Sequence, residues 1–181
     1  MATSLDYPAE LERELTLRDG SLVRIRPIRP DDAPRLQELH SRLSNQTAYQ
    51  RFFTVVKRLP PDWARVLATV DYQRRLALVV EPCASAEPGL IAVGRYDATD
   101  EPDTVEVAFV VQDSWQNRGL GTILFDAIVR AAAARSYQRF RAYVLADNRR
   151  MLDLITRFTR VESRKTEQNV TELVFTLRDR G

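Results

Sequence analysis

The sequence predicts a mixed α/β domain in which helices cover both faces of a sheet. β-branched apolar runs recur along the 181 residues, as in Arg75–Glu81 (RLALVVE), Leu90–Tyr96 (LIAVGRY) and Val105–Val111 (VEVAFVV). Segments with apolar residues at helical spacing separate the later runs, and crossover helices of that kind build a mixed sheet. The stretch from Val105 to Thr122, VEVAFVVQDSWQNRGLGT, passes from buried strand through a short turn into a glycine-punctuated helix start. The rest of the chain is arranged around it.

Residues 1–11 form a lead-in containing Pro8, and residues 12–181 form one domain. Glu12–Leu17 and Ser21–Arg26 alternate around Arg18-Asp19-Gly20, a hairpin signal. Pro27, Pro30 and Asp31-Asp32 end the second strand and open a helix over Pro34–Ser44, with Leu36, Leu39, His40 and Leu43 at helical spacing. A short helix follows over Thr47–Phe53, and Pro60-Pro61-Asp62 introduces another over Trp63–Val70. Arg75–Glu81 and Leu90–Tyr96 are strands joined by the Pro82–Gly89 loop, and Asp97–Asp103 is the loop before Val105. Beyond the glycine turn, Leu120, Ile123, Leu124, Ala127, Ile128 and Ala131 mark an amphipathic helix reaching about Arg135. Arg139–Leu145 is a strand, Asp147 and Asn148 cap a helix to about Phe158, and Val161–Lys165 and Val170–Leu177 close the sheet.

Composition narrows the function classes. A hydrophobic fraction of 44% and a charged fraction of 29% are those of an ordinary globular domain. No window approaches the ~18–20 apolar residues of a membrane span, and MATSLDYPAELERE lacks the basic-then-apolar pattern of a secretory signal, so a cytoplasmic location is expected. The lone Cys83 allows no internal disulfide and no cysteine-based zinc cluster. A net charge of +2 gives no reason to expect nucleic acid, and no metal, nucleic-acid or membrane partner is expected.

Gln116-Asn117-Arg118-Gly119-Leu120-Gly121 fits Q/R-x-x-G-x-G/A. Its glycines allow a ligand close to the backbone, and the N–H groups that open the helix suit a phosphate or pyrophosphate. Neither G-x-x-x-x-G-K-[ST] nor G-x-G-x-x-G is present, which removes the nucleoside-triphosphate and dinucleotide loops.

Strand, QNRGLG and helix together resemble the acetyl-CoA-binding core of the GNAT superfamily of N-acyltransferases. The order of elements follows that pattern from about Leu15 to Leu177. The segments SLVRIRPIRPDDAPRLQELHSRLSNQTAYQRFF, VDYQRRLALVV and ADNRRML are similar to the catalytic domain of bacterial Pat-type protein-lysine acetyltransferases. That resemblance implies a mixed, mostly antiparallel sheet flanked by helices, with acetyl-CoA as co-substrate and no metal. It further implies transfer to an amine, preferably a protein lysine, with small amines still open. Members of the subgroup commonly carry a regulatory domain, and the chain resembles the catalytic part standing alone.

Amine acetylation needs a proton acceptor for the ammonium and a held, polarised thioester carbonyl. Glu106, amid Val105, Val107, Ala108 and Phe109, is the candidate base, its pKa expected to rise through burial. The resemblance implies a glutamate base at this position, acting directly or through water. A strand glutamate paired with Arg95 or facing solvent is the structural alternative. By resemblance, the main chain of Phe109, Val110 and Val111 holds the pantetheine arm, and the backbone from Gln116 through Asn117, Arg118, Gly119, Leu120 and Gly121 to Thr122 holds the pyrophosphate. The Arg118 side chain either adds charge there or is a solvated surface arginine. Asn148 matches a cofactor-contacting asparagine of the superfamily and is equally a helix cap. The chain departs from the pattern at Ile155, where many relatives place a general-acid tyrosine, and at Thr159-Arg160, which replaces a Gly-Phe helix ending. Tyr143 or water is then left to protonate the thiolate, unless the thiolate leaves without an acid. These departures keep open a non-catalytic acyl-CoA-binding module. His40 and Cys83 read as structural, Trp115 as packed against the turn, and Tyr49, Phe52 and Phe53 as core, with lining of the acceptor entrance as the alternative. Asp71 and Tyr72 are candidates to face the acceptor.

Overall fold

The computed structural model describes residues 6–84 and 89–179. Part of the expected lead-in (1–5), part of the Pro82–Gly89 loop (85–88) and residues 180–181 lie outside the described residues. The elements are β1 (Arg13–Thr16), β2 (Leu22–Pro27), α1 (Ala33–Ser41), α2 (Asn45–Phe52), α3 (Pro61–Ala68), β3 (Arg75–Pro82), β4 (Ala92–Ala98), β5 (Thr104–Val111), α4 (Leu120–Ala134), β6 (Arg139–Leu145), α5 (Arg149–Phe158), β7 (Thr159–Glu167) and β8 (Val170–Leu177). They build one 8-stranded sheet in the order β1-β2-β3-β4-β5-β6-β8-β7. Only β5 and β6 run parallel, as α4 crossing between them requires, so the sheet is mixed and mostly antiparallel as expected.

The period-2 pattern of the strands sorts side chains between two faces. On one face Gly94 lies under Leu124 of α4, Phe109 and Phe175 meet Phe125 of α4 at 5.4 and 6.0 Å, and Phe140 and Phe175 stack at 5.5 Å. Gly94 is required by this contact, because a Cβ there would fall 2.8 Å from Leu124 Cγ and 2.9 Å from Phe109 Cδ1. On the other face Arg95 is buried against α3, donating to the Leu67 carbonyl at 3.3 Å. A polar pin holds the start of α1: the fully buried Asp32 accepts two bonds from Arg26, each 2.8 Å. Burial alone would raise the Asp32 pKa, but Arg26 and the Arg29 N–H outweigh it and hold the carboxyl below its ordinary value.

The predicted elements are all present with shifted ends. The Pro34–Ser44 helix begins at Ala33 and stops at Ser41, because Ser44 is already the extended N-cap of α2 and its hydroxyl accepts from Thr47 N–H. β7 begins at Thr159, directly where α5 ends, and the Thr159 hydroxyl donates to Ile155 O at 2.6 Å. Gln168 and Asn169 both take positive φ in the β7–β8 turn, the geometry of a tight hairpin. Tyr7 in the lead-in is anchored: its hydroxyl donates to Glu12 at 2.7 Å, and its ring meets Tyr72 edge-on at 5.7 Å.

Candidate active site

The sheet forks at Glu106. β5 pairs with β4 along its whole length, from Ala98↔Val105 to Ala92↔Val111. Its pairing with β6 stops at Val107↔Ala142, one residue past Glu106↔Arg141. Beyond that point β5 has a neighbour on one edge only. The bonds Gln112 N–H to Ile91 O (2.8 Å) and Thr99 N–H to Thr104 O (3.0 Å) fix which residues face β4. By the antiparallel alternation these are Thr104, Glu106, Ala108 and Val110, leaving the main-chain groups of Phe109 and Val111 to face the open side. Val110, expected to present its main chain with them, is therefore bonded to β4, and only its side chain lines the cleft. Val111 O already accepts a bond from Gln116 Nε2 at 3.0 Å.

The fork opens a cleft of about 450 Å³ between β5, β6, α2, α5 and the start of α4. Five residues of strand, about 17 Å at ~3.3 Å each, separate Glu106 from Val111, enough for an extended thioester arm. At the far end, Asn117 (φ 66°) and Gly119 (φ 85°) bend the chain sharply into α4. The first bond of the helix is Ile123 N–H to Gly119 O, so the N–H groups of Leu120, Gly121 and Thr122 precede it and lack an intrahelical acceptor. Gly121 lines the cleft with no atom within 4 Å of where its Cβ would stand. Free donors, positive dipole and an unobstructed approach fit a pyrophosphate.

Glu106 lines the cleft but is exposed rather than buried. Val105 and Val107, its apolar neighbours in sequence, point to the opposite face. Its carboxyl pKa is nevertheless raised, first by partial loss of water and then by Asp97 directly across the strand pair; Arg51 and Arg141 oppose the shift. Arg95 does not pair with it, lying instead 3.4 Å from Asp97, which also accepts from Arg75 at 2.8 Å. Arg51, on α2, lines the cleft; burial and the neighbouring Arg95 lower its pKa to about 10, so it stays charged at neutral pH.

The Arg118 side chain is turned away from the cleft. It donates to Asp19 at 2.8 Å and to the Ser114 carbonyl at 3.0 Å, and its guanidinium sits 4.5 Å above the Trp115 ring. Leu120 is buried, so only its main chain is placed for a ligand. Gln116, Asn117, Gly119, Thr122 and Asn148 line the cleft, and Asn148 also caps α5 through a long 3.4 Å bond from Met151 N–H. Ile155 is fully buried in the cleft wall, whereas Tyr143 opens into it from β6 with its phenol pKa raised by partial burial and by Glu172. Asp71 and Tyr72, the candidates to face the acceptor, do not line the cleft. Asp71 accepts three backbone N–H bonds from Gln73, Arg74 and Arg75, and Tyr72 is buried with its hydroxyl on Ile28 O at 2.8 Å. His40 is packed as expected, 2.6 Å from Val56 O and edge-on to Phe52, while Phe53 lines the cleft. Sequence reasoning missed Arg18, Arg51 and Arg150 in the cleft wall, and Asp113, which ties the turn to Ser44 and Thr47 of the α2 start at 2.7 and 2.9 Å.

Among the described residues no cluster of three or more His, Cys, Asp or Glu is placed to hold a metal, and no helix is long and apolar enough to cross a membrane.

A forked parallel pair with a glycine-opened helix at its mouth defines an acyl-CoA-dependent transferase architecture, and comparison with known proteins gives the family. The acetyltransferase (GNAT) domain profile matches residues 23–158, so the chain belongs to the GNAT family and is an acetyl-CoA-dependent N-acetyltransferase. It is similar to an acetyltransferase of Pseudomonas aeruginosa, 31% identical over 77% of this chain and 75% of that one. It is also similar to the acetyltransferase Pat of Mycolicibacterium smegmatis, 34% identical over 78% of this chain and 42% of that one, so it spans under half of that protein. The crystal structure of the GNAT domain of S. lividans PAT superposes with a TM-score of 0.84 at 34% identity, covering 95% of this chain and 100% of that one.

Proposed function

We propose that the chain acetylates a protein lysine by direct attack of its amine on acetyl-CoA, with Glu106 as general base. The fork carries the proposal: a carboxylate with a raised pKa lines a cleft whose far end is a helix start with N–H groups free to receive a phosphate. Bound acetyl-CoA supplies an acetyl thioester. The main-chain groups of Phe109 and Val111 hold the arm and orient the carbonyl. Glu106 takes a proton from the lysine ammonium, directly or through water, which frees the nitrogen lone pair to form the C–N bond as the C–S bond breaks. Tyr143 gives its proton to the departing sulfur, and the second proton shed by the acylated nitrogen passes through water to restore the phenol; its raised pKa keeps the hydroxyl protonated, and Ile155 cannot serve. The lysine preference rests on the Pat-type resemblance of the chain.

The test follows release of the CoA thiol when acetyl-CoA is mixed with lysine-bearing proteins, a polyamine, an amino acid or an aminoglycoside. Faster release with protein lysines is expected. Release confined to a small amine overturns the acceptor assignment. Binding of acetyl-CoA without release for any acceptor identifies a sensor module instead, the function that the absent tyrosine at position 155 leaves open.

A further inference from the structure

The structure assigns Arg18, in the β1–β2 turn, as the side-chain cation that closes over the pyrophosphate of the bound acyl-CoA. The inference rests on the acyl-CoA function proposed above, and it concerns a residue outside the glycine motif.

Arg118, the cation within the glycine motif, is engaged elsewhere. It reaches across 99 residues of sequence to Asp19 at 2.8 Å and approaches the Ser21 hydroxyl at 3.4 Å. These contacts, on either side of Gly20, clamp the hairpin turn onto the glycine turn. Arg18, next to Asp19, is thereby brought over Gly119: its Nη2 lies 3.0 Å and its Nε 3.1 Å from where a Gly119 Cβ would stand. Gly119 is required by its φ of 85°, and the Arg18 guanidinium lies on its open side. The positions of two residues decide the roles of two arginines.

Arg18 lines the same cleft as Gly119, Gly121 and Thr122, and among the described residues it has neither a hydrogen bond nor an ion pair. Its near neighbour Arg118, by contrast, has a partner for both terminal nitrogens. A guanidinium lying on Gly119, in the same cleft as the three free N–H groups of the helix start and with no anion of its own, forms the second wall of an anion site whose first wall is backbone. The planar fork of arginine suits two oxygens of a phosphate, and a lysine at this position would not reproduce it. Arg118 then acts as a positioning residue, a strut that places Arg18.

The anion could be the pyrophosphate or the 3′-phosphate of the cofactor. The position over Gly119, at the helix start whose first N–H groups lack an intrahelical acceptor, selects the pyrophosphate. The test titrates acetyl-CoA and acetyl-3′-dephospho-CoA calorimetrically into wild type, Arg18→Ala and Arg24→Ala. Arg24 is an exposed β2 arginine paired with Glu14, and its removal makes the same charge change away from the cleft. Arg18→Ala is expected to weaken both ligands about 10-fold or more, as loss of a charged hydrogen-bond donor does. Arg24→Ala is expected to stay within about twofold of wild type, and all three proteins to melt alike. Equal loss in the two variants would reduce the effect to general charge and overturn the assignment. Loss for acetyl-CoA but not for its dephospho form would move Arg18 to the 3′-phosphate, and no loss for either would remove it from the site. Failure of the wild type to bind either ligand would instead refute the acyl-CoA function itself, and the inference with it.

Discussion

Replacing Gly121 by alanine separates the requirements of the fold from those of the ligand. The residue is the second of α4, has no positive φ, and has no atom within 4 Å of the position a Cβ would take. Nothing in the protein resists the methyl group. A helical alanine is favoured over glycine by up to ~1 kcal/mol, less near a helix end, so stability is expected to rise by about 0.5 kcal/mol. For a chain of this length that is roughly 1–2 °C in Tm. The same methyl group projects into the cleft, where an anion would have to meet the N–H groups of Leu120, Gly121 and Thr122. Charged hydrogen bonds of that kind are each worth about 1.5–3 kcal/mol, so acetyl-CoA affinity is expected to fall about 10- to 100-fold. Thermal melting without ligand and calorimetry with acetyl-CoA read the two effects separately. A variant that binds as well as wild type would refute the placement of the phosphate, and a lowered Tm would refute the claim that the space is free.

Other perturbations probe the base, the acid and the fold. Asp97→Asn removes the carboxylate facing Glu106, so the acid limb of the pH–rate profile, where activity is lost as Glu106 takes up a proton, is expected to move to lower pH; an unmoved limb would show that Glu106 does not govern it. Tyr143→Phe is expected to lower kcat by about 10- to 100-fold with acetyl-CoA affinity intact, and an unchanged kcat would leave water as the proton source. Asp32→Ala removes two of the bonds of the buried Arg26 guanidinium, leaving Glu81 as its carboxylate partner, and is expected to cost about 2–3 kcal/mol in urea unfolding at neutral pH. Because the folded pKa of Asp32 is depressed, that stability is present above the ordinary carboxylate pKa near ~3.9 and is lost as pH falls through the folded value. Wild type and variant should therefore converge in acid, and a constant gap would contradict the ion-pair account.

The strands and helices were legible because their periods were clear, and the glycine turn because its spacing is local. What lay beyond the sequence was which face a residue takes and what folds back onto it. Glu106 looks buried among Val105, Val107 and Phe109, yet alternation sends the two valines to the core and the carboxylate into the cleft. The same alternation separates Val110 from Phe109 and Val111. The Arg118 side chain was open between the phosphate and solvent, and its partner Asp19 sits in a hairpin whose approach no local signal encodes. Arg18 was visible only as part of a turn signal. Arg51 lacked any mark on α2 until β5 was laid against that helix. Asp71, beside the buried Tyr72, was a turn-former whose three backbone bonds follow from its place before β3.

The most direct measurement compares wild type with Glu106→Gln in acetyl-CoA binding and in acetyl transfer to the best acceptor. Since the raised pKa of Glu106 penalises its ionised form in the folded protein, the variant should melt no lower than wild type at neutral pH. Acetyl-CoA affinity is expected to stay within about twofold and the transfer rate to fall about 10²- to 10⁴-fold. A transfer rate equal to wild type would contradict Glu106 as the base and leave the fork as a binding site alone.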